Sequence, residues 1–472
     1  MKVREARAEY AALFSAETVA PQWATMGDIA AVVGGGTPRT SDPSNFEGGD
    51  IPWLTPADLS GYTERYVSHG ARFITRKGLE SSSARILPAG SVLFTSRAPI
   101  GYVAIARNPV ATNQGFKSFV LKEGILPEYV YWWLKGAKQA AEGLASGTTF
   151  LELSGANAKK LPIPVVPLDQ QKHIVAEIEK QFSRLDEAVA NLKRVKANLK
   201  RYKAAVLKAA ASGRLVETEA ELARREGRSY ETGEQLLQRI LESRRSQWKG
   251  KGKYKEPAAP DTTDPPELPE GWVWASVDQT AQVISGLTKN PKREALPSKL
   301  PYLRVANVYA NELRLNEIEH IGVADNELGK LLLQRDDLLV VEGNGSPDQI
   351  GRVALWDGSI PNCVHQNHLI KVRFIDPLLP KSAMNWLLSP GGRRQIEQVS
   401  SSTSGLHTLS TGKVSRLPIP LAPLAEQHRI AAEVDRRLSL LRETEAQVDA
   451  NLQRAERLRQ AILNRAFAGG LV

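Results

Sequence analysis

The stretch LPIPVVPLDQQKHIVAEIEKQFSRLDEAVANLKRVKANLKRYKAAVLKAAASGRLV, residues 161–216, decides the fold of this chain. It returns as LPIPLAPLAEQHRIAAEVDRRLSLLRETEAQVDANLQRAERLRQAILNRAFAGGLV at residues 417–472, with a constant offset of 256 residues and 21 of 56 positions identical. A gapless repeat of this length indicates internal duplication. The prolines of each Leu-Pro-Ile-Pro opening cannot lie inside a helix, so we predict an extended strand end there. A helix should start after the next proline, Pro167 or Pro423, and stop at Gly213 or Gly469.

Apolar residues recur every seven positions inside each predicted helix. Over about five heptads this spacing is typical of a coiled-coil seam, and two copies in one chain predict that the helices pair with each other. Each helix of about 45 residues would be about 68 Å long. The alternative is a pair of amphipathic helices packed on a globular core. The predicted seam consists of Ile178, Leu185, Leu192, Leu199, Val206, Val434, Leu441, Val448 and Ile462, with Val195, Tyr202, Leu438, Leu452 and Leu458 filling in.

Length and composition are typical of a soluble globular protein, and the net charge favours an anionic partner. The 472 residues suffice for two to four domains, and 42% hydrophobic with 24% charged residues is ordinary for a soluble protein. No run of 18 apolar residues occurs, and the N-terminus lacks the apolar core of a secretion signal. Cys363 is the only cysteine, which excludes an internal disulfide and fits a reducing cytoplasm. A net charge of +10 favours nucleic acid before membrane as partner.

The rest of the chain divides into two globular domains with different surfaces. Short apolar runs at 29–33, 91–95, 102–106 and 118–121 predict a mostly β first domain, with one helix at 127–145. The second domain repeats the first weakly, since VWASVDQTAQVISGLTKN resembles QWATMGDIAAVVGGGTPR. We predict an α+β chain with these segments: a short N-terminal helical segment (1–22), the first domain (23–160), the first lead-in and helix (161–216), a helical segment followed by a basic, proline-rich linker (217–271), the second domain (272–416), and the second lead-in and helix (417–472).

Catalytic motifs are missing from the sequence. The Gly34–Gly36 run lacks the lysine and hydroxyl residue of a phosphate-binding loop, so we interpret it as a turn. Asp264-Pro265-Pro266-Glu267 superficially resembles an amino-methyltransferase tetrapeptide, but it lies in the linker and lacks the aromatic residue that would stack on a base. His365 and His368 could begin a metal site; without a supporting cysteine, a structural or DNA-facing pair is favoured.

Taken together, the two LPIP-x-x-P-L-x-x-Q lead-ins, the long helices and the two dissimilar β-rich domains resemble the DNA-specificity subunit of type I restriction–modification systems. The resemblance covers essentially the whole chain and includes Ile51-Pro52-Trp53, Gly36-Thr37-Pro38 and Pro269-Glu270-Gly271-Trp272. One departure is Leu287-Thr288-Lys289, which stands where the first domain has Gly36-Thr37-Pro38. The turn and the DNA contacts of the second domain are therefore expected to differ from those of the first.

The resemblance implies two target-recognition domains, each reading one half of a bipartite site in double-stranded DNA. It implies an antiparallel coiled coil that spaces these domains, and whose length equals about two turns of B-DNA. It also implies two modification subunits that bind S-adenosylmethionine and methylate adenine, and two ATP-driven restriction subunits. No metal or cofactor is then expected in this chain, since S-adenosylmethionine, ATP and Mg would belong to the partners.

The resemblance also directs attention to polar loop residues, because Arg, Lys, Asn, Gln and His present donors and acceptors to base edges. For each one, the ordinary alternative is a solvated loop side chain or a turn cap. The candidates in the first domain are Thr37, Arg39, Thr40, Arg97, Asn113, Gln114, Lys117, Thr148 and Thr149. The candidates in the second domain are Lys289, Asn290, Arg304, Asn344, Gln349, His365, Gln366, Asn367, Thr403, Ser404 and His407.

Two other functions remain open at this point. The coiled coil could assemble other chains while the basic charge binds DNA only non-specifically. A stand-alone enzyme is a third class, which the absence of catalytic motifs disfavours.

Overall fold

The computed structural model describes residues 22–147, 151–250, 252–260, 266–344, 349–403 and 406–467. The chain divides into two compact units, of which the first joins Met1–Lys193 to Asp449–Val472 and the second is Arg194–Val448. Each unit therefore contains one globular domain and a part of both long helices. The predicted N-terminal helical segment lies outside the described residues, apart from Gln22.

The first domain is built on a five-stranded sheet and a three-stranded sheet. The strands are β1 (Gln22–Thr25), β2 (Ala30–Gly34), β3 (Ile51–Leu54), β4 (Tyr66–Val67), β5 (Arg72–Ile74), β6 (Val92–Ser96), β7 (Ile100–Ala106), β8 (Ala111–Thr112), β9 (Lys117–Leu121) and β10 (Pro162–Val165). The α-helices are α1 (Met26–Ile29), α2 (Arg76–Glu80), α3 (Pro127–Gly136), α4 (Lys138–Gly143), α5 (Gly155–Lys159) and the long α6 (Leu168–Ala211). The sheet orders are β2-β9-β6-β7-β4 and β5-β3-β8. All four predicted apolar runs overlap strands of the larger sheet.

The segment that follows the first long helix is helical, as predicted from its composition. It contains α7 (Glu219–Glu226) and α8 (Gly233–Ser246), and each helix begins with a threonine capping box. Buried residues of α8 pack into the core of the second domain: Leu236, Leu237 and Ile240.

The second domain repeats the arrangement of the first with longer insertions. Its strands are β11 (Val273–Ser276), β12 (Ala281–Ile284), β13 (Lys299–Leu303), β14 (Val308–Tyr309), β15 (Glu312–Leu313), β16 (Glu319–Gly322), β17 (Leu338–Val341), β18 (Gly343–Asn344), β19 (Val353–Leu355), β20 (Val364–His365), β21 (Leu369–Phe374), β22 (Ser401–Thr403), β23 (Leu406–Thr408) and β24 (Pro418–Leu421). Its helices are α9 (Val277–Thr280), α10 (Pro291–Glu294), α11 (Leu328–Leu331), α12 (Leu379–Leu388), α13 (Pro390–Val399) and α14 (Thr411–Arg416), followed by the long α15 (Leu424–Phe467). The larger sheets have the orders β12-β21-β17-β19, β16-β13-β20 and β18-β23-β22.

The Leu-Pro-Ile-Pro lead-ins form strands, as their prolines predicted. β10 pairs antiparallel with β1, and β24 pairs antiparallel with β11 in the same register. Each domain is thus inserted between two strands that pair with each other. A tryptophan of each domain fastens this ladder, since Trp133 Nε1 donates to Pro162 O at 2.8 Å and Trp386 Nε1 to Pro418 O at 2.7 Å.

The long helices begin directly after the prolines that we predicted would start them. Each contains 44 residues, and Gly213 takes a left-handed φ of +64° just beyond the end of α6. Gly469 lies outside the described residues. The glutamine of each lead-in, Gln171 or Gln427, is buried in the first helical turn and donates to a backbone carbonyl of the lead-in at 2.9 or 2.8 Å.

Within both units the two helices pack with opposite ends together. In the first unit, the start of α6, from Ile174 to Phe182, packs against Ile462 and Leu463 near the end of α15. In the second unit, Val206 and Leu207 near the end of α6 share a core with Ile430, Val434 and Leu438 near the start of α15. The pairing is therefore antiparallel, as the resemblance implied.

Not every predicted seam residue is buried. Ile178, Val206, Val434, Leu441, Val448 and Ile462 are buried, whereas Leu185, Leu192 and Leu199 are half-buried. Three of the residues predicted to fill in the seam are exposed and do not belong to it: Val195, Tyr202 and Leu458. A two-helix contact covers only a narrow stripe of each helix, so residues three or four positions from the seam can stay in solvent.

The single helix predicted at 127–145 consists of two helices, α3 and α4. The break lies at Ala137, whose N–H donates to Leu134 O in the tighter turn that ends a helix. Among the described residues, no helix is both long and apolar enough to cross a membrane.

Candidate nucleic-acid interface

In the first domain, three separate segments meet at one edge of the smaller sheet. β3 and β8 run parallel, so their carboxyl ends lie together. Asn113 N, just after β8, donates to Leu54 O at 2.9 Å, and Gly36 N donates to Thr112 O at 2.9 Å. The indole of Trp53 donates to Gly36 O at 3.0 Å. These bonds hold the turn after β2 against the loop after β8.

The second domain contains the same backbone frame. Leu287 N donates to His365 O at 2.8 Å, and Gln366 N donates to Leu303 O at 2.9 Å. The hydroxyl of Tyr302 donates to Leu287 O at 2.8 Å, as the Trp53 indole does to Gly36 O. The expectation that the second turn differs is therefore wrong for this backbone frame. Leu287 is buried and its N–H makes the hydrogen bond that the N–H of Gly36 makes in the first domain.

A glycine is required where the turn crosses the loop. A Cβ placed on Gly35 would lie 2.0 Å from Asn113 O, and one on Gly286 would lie 2.2 Å from His365 O. Real Cβ atoms do not approach backbone oxygens so closely. Of the three glycines interpreted as a turn, Gly35 is therefore the one that both domains need at this crossing.

Four predicted DNA contacts of the first domain come together beside this frame. The Thr37 hydroxyl donates to Gln114 Oε1, and Lys117 Nζ lies 3.5 Å from Gln114 O. Arg97 and Lys117 each lie 3.6 Å from a carboxylate oxygen of Glu152. The cluster combines an amide, a hydroxyl and two cations, which are groups that contact base edges and phosphates.

The remaining candidates of the first domain have different surroundings. Arg39 and Thr40 are exposed in the loop that precedes the 3₁₀ turn Pro43–Asn45. Asn113 Oδ1 accepts from Gly115 N at 2.8 Å and so caps its own turn. Thr148 and Thr149 lie outside the described residues.

In the second domain, two predicted cations also share one carboxylate. Glu319 accepts from Arg304 Nη1 at 2.7 Å and lies 3.4 Å from Lys289 Nζ. Asn290 caps helix α10 by accepting from Arg293 N at 3.1 Å, so its side chain has a structural role.

The amide pair of the second domain occupies the loop after β20. Gln366 Oε1 accepts from Val305 N at 3.3 Å, which ties it to the frame. Asn367, next to it, lies in contact with His368, and His368 Nδ1 lies 3.0 Å from Glu342 Oε2. The order of the two amides is thus reversed relative to Asn113 and Gln114.

A three-stranded sheet brings further candidates of the second domain together. β18 places Asn344 opposite His407 of β23, and β22 places Thr403 opposite Leu406. Ser404 lies outside the described residues. Gln349 is exposed and accepts from Arg352 Nη1 at 3.1 Å.

His365 is the candidate whose placement does not allow a base contact. Its side chain is 0% exposed, and Nδ1 lies 2.7 Å from Leu369 O. Burial lowers the pKa of the imidazole to about 4, so it is neutral at physiological pH. His365 is therefore a core residue and not a DNA contact, which corrects the prediction from sequence. The described residues also contain no group of three or more metal-binding side chains, so the His365–His368 pair has no supporting ligands there.

Glu152 and Glu319 are not among the candidates predicted from sequence, because an acidic partner such as DNA favours donors and cations rather than carboxylates. No local signal marks either glutamate, since each matters only through the cations that the fold brings beside it. The buried aromatic donors Trp53 and Tyr302 were also missed as organisers of the frame.

Comparison with known proteins places both domains and helices in one family. Residues 22–201 and 269–453 match the family model described as Type I restriction modification DNA specificity domain. The chain is 43% identical over 169 residues to the type I restriction enzyme MjaIX specificity subunit of Methanocaldococcus jannaschii, which covers 35% of this chain and 38% of that one. It is 24% identical over 403 residues to the EcoKI specificity subunit of Escherichia coli K12, which covers 84% of this chain and 77% of that one.

Two solved structures share the fold. A chain from a study of complex assembly and conformational transition of the type I R-M system superposes with a TM-score of 0.64 at 17% identity, covering 96% of this chain and 99% of that one. The crystal structure of the HsdS subunit from Thermoanaerobacter tengcongensis superposes with a TM-score of 0.50 at 16% identity, covering 95% and 97%.

Proposed function

This chain belongs to the family of type I restriction–modification DNA specificity domains, and on that premise we propose that it is the subunit that selects the DNA site for a modification and restriction complex. Each globular domain reads one half of a bipartite target, and the chain itself carries out no chemistry. The methyl donor S-adenosylmethionine, and ATP with Mg, belong to partner subunits, of which two modification and two restriction subunits are expected.

One observation carries this proposal: both domains build the same backbone frame and mount different side chains on it. The loop after the parallel strand pair presents Gln114 in the first domain and Asn367 at the matching place in the second. Both side chains are amides, which can bond an adenine through N6 and N7. Because their lengths differ by one methylene, and because different cations flank them, the two domains are suited to different base sequences.

The long helices support the spacing role in this proposal. Each helix has 44 residues, or roughly 66 Å at 1.5 Å per residue, and has parts in both compact units. Neither helix contains a proline or glycine that would cause a sharp kink, so the pair favours a fixed gap between the two half-sites. The repeated lead-ins and helices also offer two related surfaces on which equivalent modification subunits can dock.

The test is to map adenine methylation in cells that express this chain with its modification subunit. We expect one bipartite motif with a constant gap. Gln114→Ala should relax or change one half of the motif, and Asn367→Ala should relax or change the other half only. Arg76→Ala provides a matched control, because Arg76 is an exposed residue of α2 that pairs with Glu80.

The outcomes separate recognition from the scaffold alternative. A scaffold that binds DNA non-specifically would give no sequence motif, or one that neither variant alters. Methyl transfer by the isolated chain would contradict the assignment of chemistry to partner subunits.

A further inference from the structure

In each domain, a glutamate lies beside two of the cations that we predict to contact DNA. In the first domain Glu152 lies 3.6 Å from both Arg97 and Lys117. In the second domain Glu319 lies 2.7 Å from Arg304 and 3.4 Å from Lys289. In both cases an arginine and a lysine share a single carboxylate, which leaves a local net charge of +1 rather than +2.

The two glutamates do not descend from one position of the duplicated domain. Leu153 N donates to Ser96 O, and Leu409 N donates to Glu342 O, so Glu152 corresponds to Thr408. Glu319 pairs with Tyr302 across β16 and β13, as Arg72 pairs with Trp53 across β5 and β3, so Glu319 corresponds to Arg72.

The same charge arrangement has thus been assembled twice from different positions. Duplication alone accounts for the shared backbone frame, but it does not account for this arrangement. A requirement of the surface itself is the simpler explanation.

Both carboxylates are open to solvent. The side chain of Glu152 is 43% exposed and that of Glu319 is 39% exposed. Ion pairs with this exposure are weak and screened by salt, so they add little to folding stability. A DNA phosphate that approaches either pair of cations must displace the carboxylate or be repelled by it.

A base edge faces a different balance. Guanine O6 and N7 carry only partial charges and accept hydrogen bonds of defined direction from arginine. Their ability to replace the carboxylate therefore depends on the geometry of these bonds rather than on net charge. A neighbouring carboxylate therefore weakens sequence-independent phosphate binding more than it weakens a correctly placed base contact.

We propose that Glu152 and Glu319 are specificity-determining residues that restrain the phosphate affinity of the cations beside them, so that stable binding requires the correct bases. This inference rests on the proposed function, since it assumes that these domains read DNA. Glu152 and Glu319 are acidic, whereas residues that contact DNA are expected to be basic or neutral.

The test uses the full-length chain and the variant Glu152→Gln, which keeps the size of the side chain and removes its charge. Binding to a labelled duplex of random sequence is followed by fluorescence anisotropy over a series of salt concentrations. We expect the variant to bind random DNA several-fold more tightly. The plot of log K against log salt should be steeper by about 0.9 for each additional phosphate that the variant neutralises. The ratio of the affinity for the motif identified by methylation mapping to the affinity for random DNA should fall.

The control is Glu142→Gln, which removes the same charge from an exposed ion pair of the first domain, Lys138–Glu142 at 3.7 Å. The tighter binding by Glu152→Gln should disappear when Arg97 and Lys117 are both changed to Gln. Glu319→Gln is tested in the same way against Glu231→Gln, whose carboxylate pairs with Arg239 of α8 at 2.9 Å.

Each outcome decides between the ideas. If Glu152→Gln and Glu142→Gln bind random DNA equally, or if the tighter binding survives loss of both cations, the inference is wrong. Loss of motif binding with unchanged random binding would mean that Glu152 itself reads a base, which also overturns it. A wild-type chain with no sequence preference, alone or with its partners, would overturn the proposed function instead. Thermal denaturation identifies a variant that fails to fold, in which case Glu152→Ala replaces it.

Discussion

Replacing Gly35 by alanine should break the frame on which the first domain mounts its candidate DNA contacts. The new Cβ would lie 2.0 Å from Asn113 O and 2.3 Å from Thr112 O, so backbone must move by at least 1.0 Å to reach 3.0 Å (3.0 − 2.0). That movement separates Gly36 N from Thr112 O and Asn113 N from Leu54 O, now 2.9 Å apart in each pair. Overpacking costs about 1–3 kcal/mol, and two lost hydrogen bonds cost about 1 kcal/mol each.

The expected total of about 3–5 kcal/mol corresponds to a melting temperature lower by roughly 6–20 °C for the first unit. Calorimetry of the full chain measures it, and Gly34→Ala is the matched control, because a Cβ on that neighbouring glycine meets nothing within 4 Å. Methylation mapping should show loss of one half of the motif for Gly35→Ala. If Gly35→Ala melts and methylates like Gly34→Ala, the turn does not depend on this close crossing and the reasoning is refuted.

Three further predictions concern the cores. Phe467→Ala should destabilise the first unit by about 3–5 kcal/mol, because this buried ring packs edge-on against two aromatic rings at 5.1 Å; the exposed Leu458→Ala is the control in a urea titration. Gln171→Leu should cost roughly 2 kcal/mol more than Gln427→Leu by calorimetry, since the described residues show three hydrogen bonds to the first amide and one to the second; equal costs would contradict this. Because burial lowers the pKa of His365 to about 4, its neutral form stabilises the fold fully above pH 6.5, and stability is lost as pH falls from 6.5 to 4, by roughly 3 kcal/mol. His365→Gln should flatten that part of the pH–stability curve, and an unchanged curve would assign the loss to other groups.

The repeated helices could be predicted from sequence because their signals are local and periodic. The proline lead-ins, the start after Pro167 and the left-handed Gly213 each follow from backbone chemistry that neighbours cannot override. The pairing of the helices follows from their long, gapless repeat, whereas the antiparallel direction was implied by the family resemblance, and both are confirmed.

The seam was predicted less well than the helices themselves. A sequence shows which helix positions are apolar, but not which of them a partner helix covers. Tyr202 and Val195 fit the lattice and yet remain 47% and 41% exposed.

The candidate interface could be predicted only in part, because its residues meet through tertiary contacts. The chemistry of Thr37, Gln114, Lys117 and Arg97 predicts each of them singly as a DNA contact, but only the fold shows that they lie together. The polar character of His365 suggested exposure, whereas the parallel pairing of β20 with β13 buries it.

The paired strands at the base of each domain affect how the DNA specificity of this chain can evolve. Thr25 lies opposite Pro162, and Ser276 lies opposite Pro418. Each domain therefore begins and ends at neighbouring positions of a strand pair, in the same register in both domains. Exchange of everything between two such points replaces a whole reading surface and leaves the strand pair intact, as long as the incoming domain keeps the residues that pack against the long helices, such as Tyr129 and Trp133 against Phe467. New DNA specificities can therefore arise by recombination of complete cassettes, without a series of substitutions that must each preserve the interior.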